Sequence, residues 1–409
     1  VQHSVEHLLS QRLYGLVQGY EDLNDHDQLR HDLSFCAAVG KLESHHARCA
    51  ALSGKSTLNR FEGSPHYEGE KLGRYVRISM DPRAIEQAFI DLFFQLSETD
   101  PKELILDLDV TDDATHGSQI DSFFNGYYRH ECYVPLLIFC GHHLLAAQLR
   151  PSNVDPAEGA LEQLRRIIPK LRLHWPDVKL IVRGDSAYGR EDIMSWCEAQ
   201  PNVDFVLGLA GNAVLERMSQ PLEAKAKAEF ERCHSIEPPL PTTAWYRTLY
   251  YRTQASWTRR RRVVSKITYS DAGPKRHYIV TSIPAAKLSP SALHQDLYCP
   301  RGDMENRIKE HQLSLFSDRT STHTFESNQL RLWFSSMAYV LMHAVRQHLL
   351  CGTVLAKAQL GTIRLKLLKL AAHIRLSVRR VHIALASHEP YRELLELLYF
   401  RLAQLPRPG

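Results

Sequence analysis

The first hundred residues place apolar side chains at helical spacing, in short segments separated by polar turns. Apolar residues that recur every three or four positions form one face of an amphipathic helix. The predicted helices cover residues 3–17, 27–39, 56–62 and 81–96. Residues 1–98 are therefore predicted to form a helical amino-terminal region.

The pattern changes in residues 99–211, where short apolar runs bounded by turn residues are typical of buried strands. Three strands come first, with Gly141 at the turn between the second and the third, and two further strands each follow a helix. The predicted strands are 103–110, 133–140, 143–149, 178–182 and 203–208, and the predicted helices are 156–174 and 190–199.

Three strands in meander order, then helix, strand, helix and strand, predict a mixed α/β fold of the ribonuclease-H-like kind, with helices on the faces of a mixed sheet. A dinucleotide-binding fold would need a helix and a glycine-rich turn directly after the first strand. The residues there, 106–111, contain no glycine.

The rest of the chain divides into three parts. Residues 212–292 begin as a polar helix and continue as predicted strands rich in Tyr, Thr, Val and Arg, so they look like a β-rich insertion. Residues 293–325 are predicted to return to the core as a helix. A helical carboxy-terminal region, 326–409, includes predicted helices over 327–350 and 361–386.

The composition is that of a globular chain of two or three domains, with 409 residues of which 44% are hydrophobic. No window reaches the roughly 18 uninterrupted apolar residues that a membrane span needs, and the amino end does not resemble a signal peptide. We therefore expect a cytoplasmic protein with no membrane partner. The eight cysteines include no Cys-x-x-Cys pair, so no disulfide framework or zinc ribbon is predicted.

The net charge of +4 says little, but the distribution of charge says more. Residues 243–278 contain nine Lys and Arg and one acid, interleaved with seven Trp and Tyr. Residues 357–380 contain seven more basic residues and no acid. A single such block is usually a solvated face, but two blocks, one of them rich in aromatic side chains, favour a polyanion such as nucleic acid.

The end of the first core strand is acidic, with Asp107 and Asp109 followed by Asp112 and Asp113. The period of two puts Asp107 and Asp109 on one face, where their charges need a cation or a basic partner. Acids that merely end a strand are the alternative.

Two more acids stand at informative places. Asp185 follows the strand at 178–182, which lies beside the first strand in a ribonuclease-H-like order; strands about 4.8 Å apart would bring it within metal-sharing reach of Asp109. A helix cap is the alternative for Asp185. Glu305, Lys309 and Gln312 share one face of a predicted helix, although any exposed helix can have charged and polar residues at this spacing.

Taken together, these segments resemble the DDE-type insertion-sequence transposases of bacteria, and the resemblance covers nearly the whole chain. The core motifs that carry it are Leu106–Thr111, His116–Gln119 with Phe123–Tyr128, Arg183–Ser186 with Tyr188, and Arg301–Glu310. The amino-terminal segments Gly19–His26 and Ser53–Glu62 are also similar to that family.

The resemblance implies cut-and-paste transposition by a catalytic triad that falls on Asp109, Asp185 and Glu305. Asp109 matches the family's Asp-x-Thr/Ser pattern better than Asp107, which remains an alternative. Tyr298, Arg301 and Glu305 match the family's Tyr-x2-Arg-x3-Glu-x6-Lys pattern. Gln312 stands where that pattern has Lys. Lys309, one helical turn earlier, is therefore the candidate for the positively charged side chain that contacts the phosphate of the transposon end.

Three carboxylates and a phosphodiester imply two Mg²⁺ or Mn²⁺ ions, since hard oxygen ligands favour these metals. Tyr298 and Arg301 would orient DNA phosphates. The resemblance also implies that the insertion contacts the transposon end. Trp245 or Trp257 would stack on a flipped DNA base, and a buried structural role is the alternative for each tryptophan. The further candidates for DNA contact are Trp245, Trp257, Arg259, Arg260 and Arg261.

The expected partners are double-stranded DNA with terminal inverted repeats, target DNA, and a second copy of the chain in a homodimer on DNA. The expected location is the nucleoid of a bacterial cell. Two alternatives remain: a ribonuclease-H-like nuclease without strand transfer, and a domesticated DNA-binding protein without catalysis. The long basic insertion argues against the first, and the three intact acids argue against the second.

Overall fold

The computed structural model describes residues 3–42, 50–66, 78–97, 99–236, 243–376 and 380–404. The strands are β1 (Glu103–Val110), β2 (Asp113–Ala114), β3 (Phe123–Asn125), β4 (His130–Tyr133), β5 (Leu136–Cys140), β6 (His143–Gln148), β7 (Lys179–Gly184), β8 (Val203–Leu209), β9 (Trp245–Tyr251), β10 (Arg261–Ser270), β11 (Gly273–Thr281), β12 (Ala372–Leu376) and β13 (Val381–Leu385). The α-helices are α1 (Val5–Gln18), α2 (His26–Leu29), α3 (Leu33–Val39), α4 (Lys55–Glu62), α5 (Pro82–Leu96), α6 (Ala160–His174), α7 (Glu191–Ala199), α8 (Ala213–His234), α9 (Pro290–Ala292), α10 (Asp303–Leu315), α11 (Phe325–Ala344), α12 (Leu360–Ile363) and α13 (Arg392–Gln404).

A large mixed sheet has the strand order β6-β5-β1-β7-β8-β11-β10-β9. β1 is antiparallel to β5 and parallel to β7, and β7 is parallel to β8. The first five strands in this order form a meander of three strands followed by two parallel strands that each come after a helix. This is the ribonuclease-H-like order, and the predicted fold class is confirmed.

Both faces of the sheet are covered, which explains why its central strands are so apolar. All five residues of β5 are buried: Leu136 and Ile138 pack on one side with α6 and α7, and Leu137 and Phe139 on the other with α1 and α11. In β1, Leu106 and Leu108 enter the first of these cores. The alternation of side chains therefore turns Asp107 and Asp109 to the opposite face, beside α10.

The basic, aromatic segment extends this sheet. β11 pairs antiparallel with β8, with Tyr278 opposite Leu209, and β10 and β9 follow outward. α8 lies on β9 and β10, where Leu222, Ala226 and Ile267 form a small core. The three strands thus continue the large sheet outward from β8, the strand that lies next to β7.

Two of the predicted helices are wrong in extent. The chain at 27–39 is split into α2 and α3 because Asp32 starts a new helix, its carboxylate accepting from the N–H of Phe35 at 2.8 Å. The predicted helix at 361–386 ends early, and the chain then forms the hairpin β12–β13, in which Ile374 pairs with Ile383. In β13 the β-branched residues Val381 and Ile383 alternate along the strand, which favours this hairpin over a helix. The small sheet of β2, β3 and β4 was not predicted.

No helix in the described ranges combines the length and the apolar character that a bilayer span requires.

Candidate active site

Asp107 is a structural acid. Its side chain is only 1% exposed, and Arg183 holds it with two hydrogen bonds, Nε to Oδ1 at 2.5 Å and Nη2 to Oδ2 at 2.8 Å. Arg307 of α10 lies 3.5 Å from the same carboxylate. Since two arginines already balance its charge, the structure favours Asp109 over Asp107 as the first acid of the site.

Asp109 lies two residues further along the same face of β1, and its side chain is 14% exposed. Its Oδ2 accepts from Nη1 of Arg301 at 2.7 Å, and its Oδ1 accepts from the N–H of Val110 at 2.9 Å. Burial is the largest cause that raises the pKa of Asp109 to about 6; Arg301 opposes the rise and Asp185 adds to it. Asp109 is therefore a partly buried carboxylate under the influence of a second one.

That second carboxylate, Asp185, follows β7 directly. In the parallel register Leu108 is opposite Gly184, so Asp109 and Asp185 occupy equivalent positions on neighbouring strands, which lie about 4.8 Å apart. The Asp185 carboxylate also accepts from the N–H of Ala187 at 2.9 Å and caps the short turn 186–188. The capping role and the position beside Asp109 are thus compatible.

Two glycines make this arrangement possible. A Cβ at Gly184 would lie 2.7 Å from the Tyr188 ring. A Cβ at Gly208 of β8 would lie 2.7 Å from the Ser186 nitrogen and 2.8 Å from the Tyr298 hydroxyl. All three distances are too short for a Cβ atom, so glycine at both positions lets the Asp185 turn and Tyr298 pack against the sheet.

Glu305 is on α10, whose buried face includes Met304, Ile308 and His311. Its own side chain is exposed. Gln312, seven residues later and so about 20° away around the helix, donates to Thr111 Oγ1 at 2.9 Å and to the Asp112 carbonyl at 3.0 Å. Glu305 therefore lies on the side of α10 that faces the end of β1.

Among the described residues, no three acidic, histidine or cysteine side chains are already gathered as a metal site. The pair Asp109 and Asp185 nevertheless fits a divalent cation. Carboxylate oxygens are the ligands of Mg²⁺ and Mn²⁺, and the Asp185 charge raises the pKa of Asp109, as expected for two acids that share one site. Arg301 supplies the compensating positive charge in this structure.

The residues predicted around Glu305 lie in different places. Tyr298 is buried against Gly208, and Arg301 contacts Asp109. Lys309 instead lines a separate groove of about 470 Å³ with His142 and Arg346. The position that follows the family spacing is occupied by Gln312, which holds the chain just after β1.

The residues of the basic segment that were predicted to contact DNA differ in their exposure. Trp257 is 5% exposed and packs in the main core, and the Arg261 side chain is 1% exposed and paired with Glu191 at 2.5 Å and Glu198 at 2.8 Å. For these two the prediction of a DNA contact is corrected, because neither reaches the surface. Trp245 is partly buried, with its indole N–H bonded to Glu229.

Arg259 and Arg260 remain exposed. Arg259 also lies 3.3 Å from Glu198, at the edge of the pair that buries Arg261.

A basic cavity beside Arg301 was missed in the sequence. It has a volume of about 390 Å³, and its lining includes Lys266 and Lys275 from β10 and β11, His277, His294, Tyr298 and Arg301. The signal was present in the alternation of the strands: Lys266 and Thr268 share one face of β10, and they pair with His277 and Lys275 of β11.

The fold and the acids at the ends of β1 and β7 place the chain among ribonuclease-H-like proteins. Over residues 1–407 it matches the family described as transposase DDE domain, group 1. The chain therefore belongs to this family of DDE transposases, as the sequence motifs predicted.

One solved structure similar to the chain is a cryo-EM structure of a piggyBac transposase synaptic complex with hairpin DNA, with 10% sequence identity. The similarity covers 97% of this chain and 86% of that one, with a TM-score of 0.35, which is too low to support a functional argument. No curated protein sequence matches the chain.

Proposed function

We propose that this protein cleaves DNA at the ends of a bacterial insertion sequence and joins those ends to target DNA. Asp109, Asp185 and Glu305 are the proposed catalytic acids. The observation that carries the proposal is the placement of Asp109 and Asp185 at equivalent positions of neighbouring parallel strands, in a chain of a transposase family.

The acids would act by holding Mg²⁺ or Mn²⁺. Two such ions, when bound, would activate the attacking water or DNA 3′-hydroxyl and stabilise the leaving oxygen. Asp109 and Asp185 supply oxygen ligands from rigid strand ends, which is the precision such a site needs. Glu305 would complete the set from the face of α10 that is turned to β1.

Arg301 and Tyr298 are the proposed phosphate-positioning residues. Arg301 stands beside Asp109 at 2.7 Å, so a phosphate that it grips would lie next to the catalytic acids. Tyr298, three residues before Arg301 in the sequence, packs against Gly208. Arg259, Arg260 and Trp245 are proposed to follow the DNA further out on the insertion, and Lys309 to contact it from its separate groove.

The remaining regions have proposed roles in assembly. Residues 1–98 would recognise the terminal inverted repeats, 99–211 with 293–325 would form the catalytic core, 212–292 would bind the transposon end, and 326–409 would hold DNA or the partner subunit. Bringing two ends together implies a homodimer on DNA, at the nucleoid.

The test is incubation of the protein with DNA that carries the ends of its element, with Mg²⁺ or Mn²⁺, followed by a denaturing gel. We expect nicked and joined products from the wild type and none from Asp185→Asn, while end binding is retained. Asp177→Asn, an exposed acid at the opposite end of β7, is the matched control and should remain active.

The same gel separates the two alternatives. Cleaved products without joined ones would indicate a nuclease. Binding without any products from the wild type would indicate a non-catalytic DNA-binding protein.

A further inference from the structure

The basic cavity, lined by Lys266, Lys275, His277, His294, Tyr298 and Arg301, contains three basic side chains besides its two histidines. None of the described residues that line it is acidic. Lys266 and Lys275 project from one face of the paired strands β10 and β11, so their positions are fixed by the sheet and not by a loop.

The histidines in the wall do not supply the positive charge. His294 Nε2 lies 3.1 Å from His277 Nδ1, and His294 Nδ1 lies 3.3 Å from Cys299 Sγ, so the imidazoles are tied to each other and to the wall. Burial, followed by the charge of Lys266, lowers the pKa of His294 to about 4. At neutral pH the charge of the cavity therefore comes from the two lysines and Arg301.

Arg301 belongs to this cavity and to the acidic site at the same time. Its Nη1 donates to Asp109 at 2.7 Å, and its side chain is mostly buried. While that ion pair is formed, the Arg301 guanidinium already neutralises the Asp109 carboxylate. It therefore competes with a cation for this carboxylate. A phosphate in the cavity offers Arg301 a competing anionic partner.

We propose that the basic cavity binds a phosphate of the DNA backbone and that this phosphate draws Arg301 away from Asp109, which frees the carboxylate for a divalent cation. DNA and the cation then bind with positive coupling, since each takes one partner of the same ion pair. This inference rests on the proposed function, and it adds Lys266 and Lys275 as phosphate-binding residues.

Phosphate binding is tested with the full chain and a short duplex of arbitrary sequence, because backbone contacts do not depend on sequence. Lys266→Gln with Lys275→Gln should weaken binding and lower the slope of log affinity against log salt by about 0.9, the value for one phosphate that is no longer neutralised. The control is the exposed Lys287→Gln, which should change the slope by less than half as much. Equal effects of the cavity variant and the control would overturn the assignment of the cavity.

The coupling is tested by the affinity for Mn²⁺, read from the electron paramagnetic resonance of the free ion, with the Mn²⁺ bound by DNA alone subtracted. In the wild type the duplex should tighten Mn²⁺ binding by about tenfold, within the usual range of couplings between sites. Arg301→Gln should bind Mn²⁺ more tightly than the wild type without DNA, and the duplex should no longer change its affinity. Arg217→Gln, an exposed arginine of α8, should keep the full coupling.

Two results obtained with the wild-type protein alone would overturn the proposal. One is an affinity of the wild type for Mn²⁺ that the duplex leaves unchanged. The other is the same tightening by sulfate at equal ionic strength, which would indicate a site for free anions and not for the DNA backbone. Because these are binding measurements, a protein that shows the coupling but yields no cleaved DNA would contradict the proposed function alone.

Discussion

Asp107 and Asp109 are two residues apart on one strand face, yet only the substitution of Asp107 should lower the free energy of unfolding. Asp107 is buried between Arg183 and Arg307. Asp107→Asn would leave two buried guanidinium groups without their counter-charge, and breaking a buried pair in this way costs about 3–5 kcal/mol. Arg183 also donates to the Leu297 carbonyl, so the substitution should loosen the turn that leads to Tyr298.

Asp109→Asn should leave the free energy of unfolding unchanged or raise it. The pKa of Asp109 is raised in the folded protein, from 3.8 to about 6. Its contribution to stability is therefore fully present below about pH 3.8 and is lost as the pH rises through about 6. At pH 7.5 the buried charge is a cost of about 3 kcal/mol at most, at about 1.4 kcal/mol for each pH unit, and asparagine removes it at the expense of the contact with Arg301.

Urea unfolding at pH 7.5, followed by circular dichroism, measures both changes. Glu103→Gln is the control, because it removes an acid from the other end of β1 whose ion pair with Lys179 is exposed, and such pairs contribute about 1 kcal/mol or less. A decrease for Asp107→Asn within 1 kcal/mol of the control would refute the reasoning from burial. So would a large decrease for Asp109→Asn.

Two more predictions concern stability. Burial lowers the pKa of His343 to about 2 and of His143 to about 4, so their stabilisation is present above about pH 6.5 and lost as the pH falls; the melting temperature should drop from pH 7 to pH 5. His343→Leu should reduce that drop, and an undiminished drop would contradict the assignment. Trp257→Ala should lower the free energy of unfolding by about 3–5 kcal/mol. Arg260→Ala, three residues further along the chain and exposed, should lower it by less than about 1 kcal/mol; urea unfolding of both variants checks this.

Much of the core was predictable because its signals are local. β1 was predicted with its observed bounds, Glu103–Val110, since a continuous apolar run between turn residues has few other interpretations. The hairpin β12–β13 was not, since a basic stretch with scattered leucines also fits a helix. There, cross-strand pairs such as Ile374 with Ile383 outweigh helical propensity.

The candidate site, like the fold, was predictable only where its signals are local. Period two puts Asp107 and Asp109 on the same face, and no local signal separates them. They differ only through their partners, which come from distant elements: Arg183 and Arg307 for the one, Arg301 for the other. The choice between the two acids is therefore a tertiary one.

The sequence alone thus determined the order of the strands, the acids at the strand ends and the membership of a transposase family, because these depend on side-chain period and on short motifs. Only the tertiary structure decided which charges are balanced. It buried Trp257 and Arg261, joined Lys266 and Lys275 to Arg301 in one cavity, and closed the Arg301–Asp109 pair. The physical reason is that the energy of a charge depends on its burial and on partners brought near by folding, and neither quantity is encoded within a few residues of the charge itself.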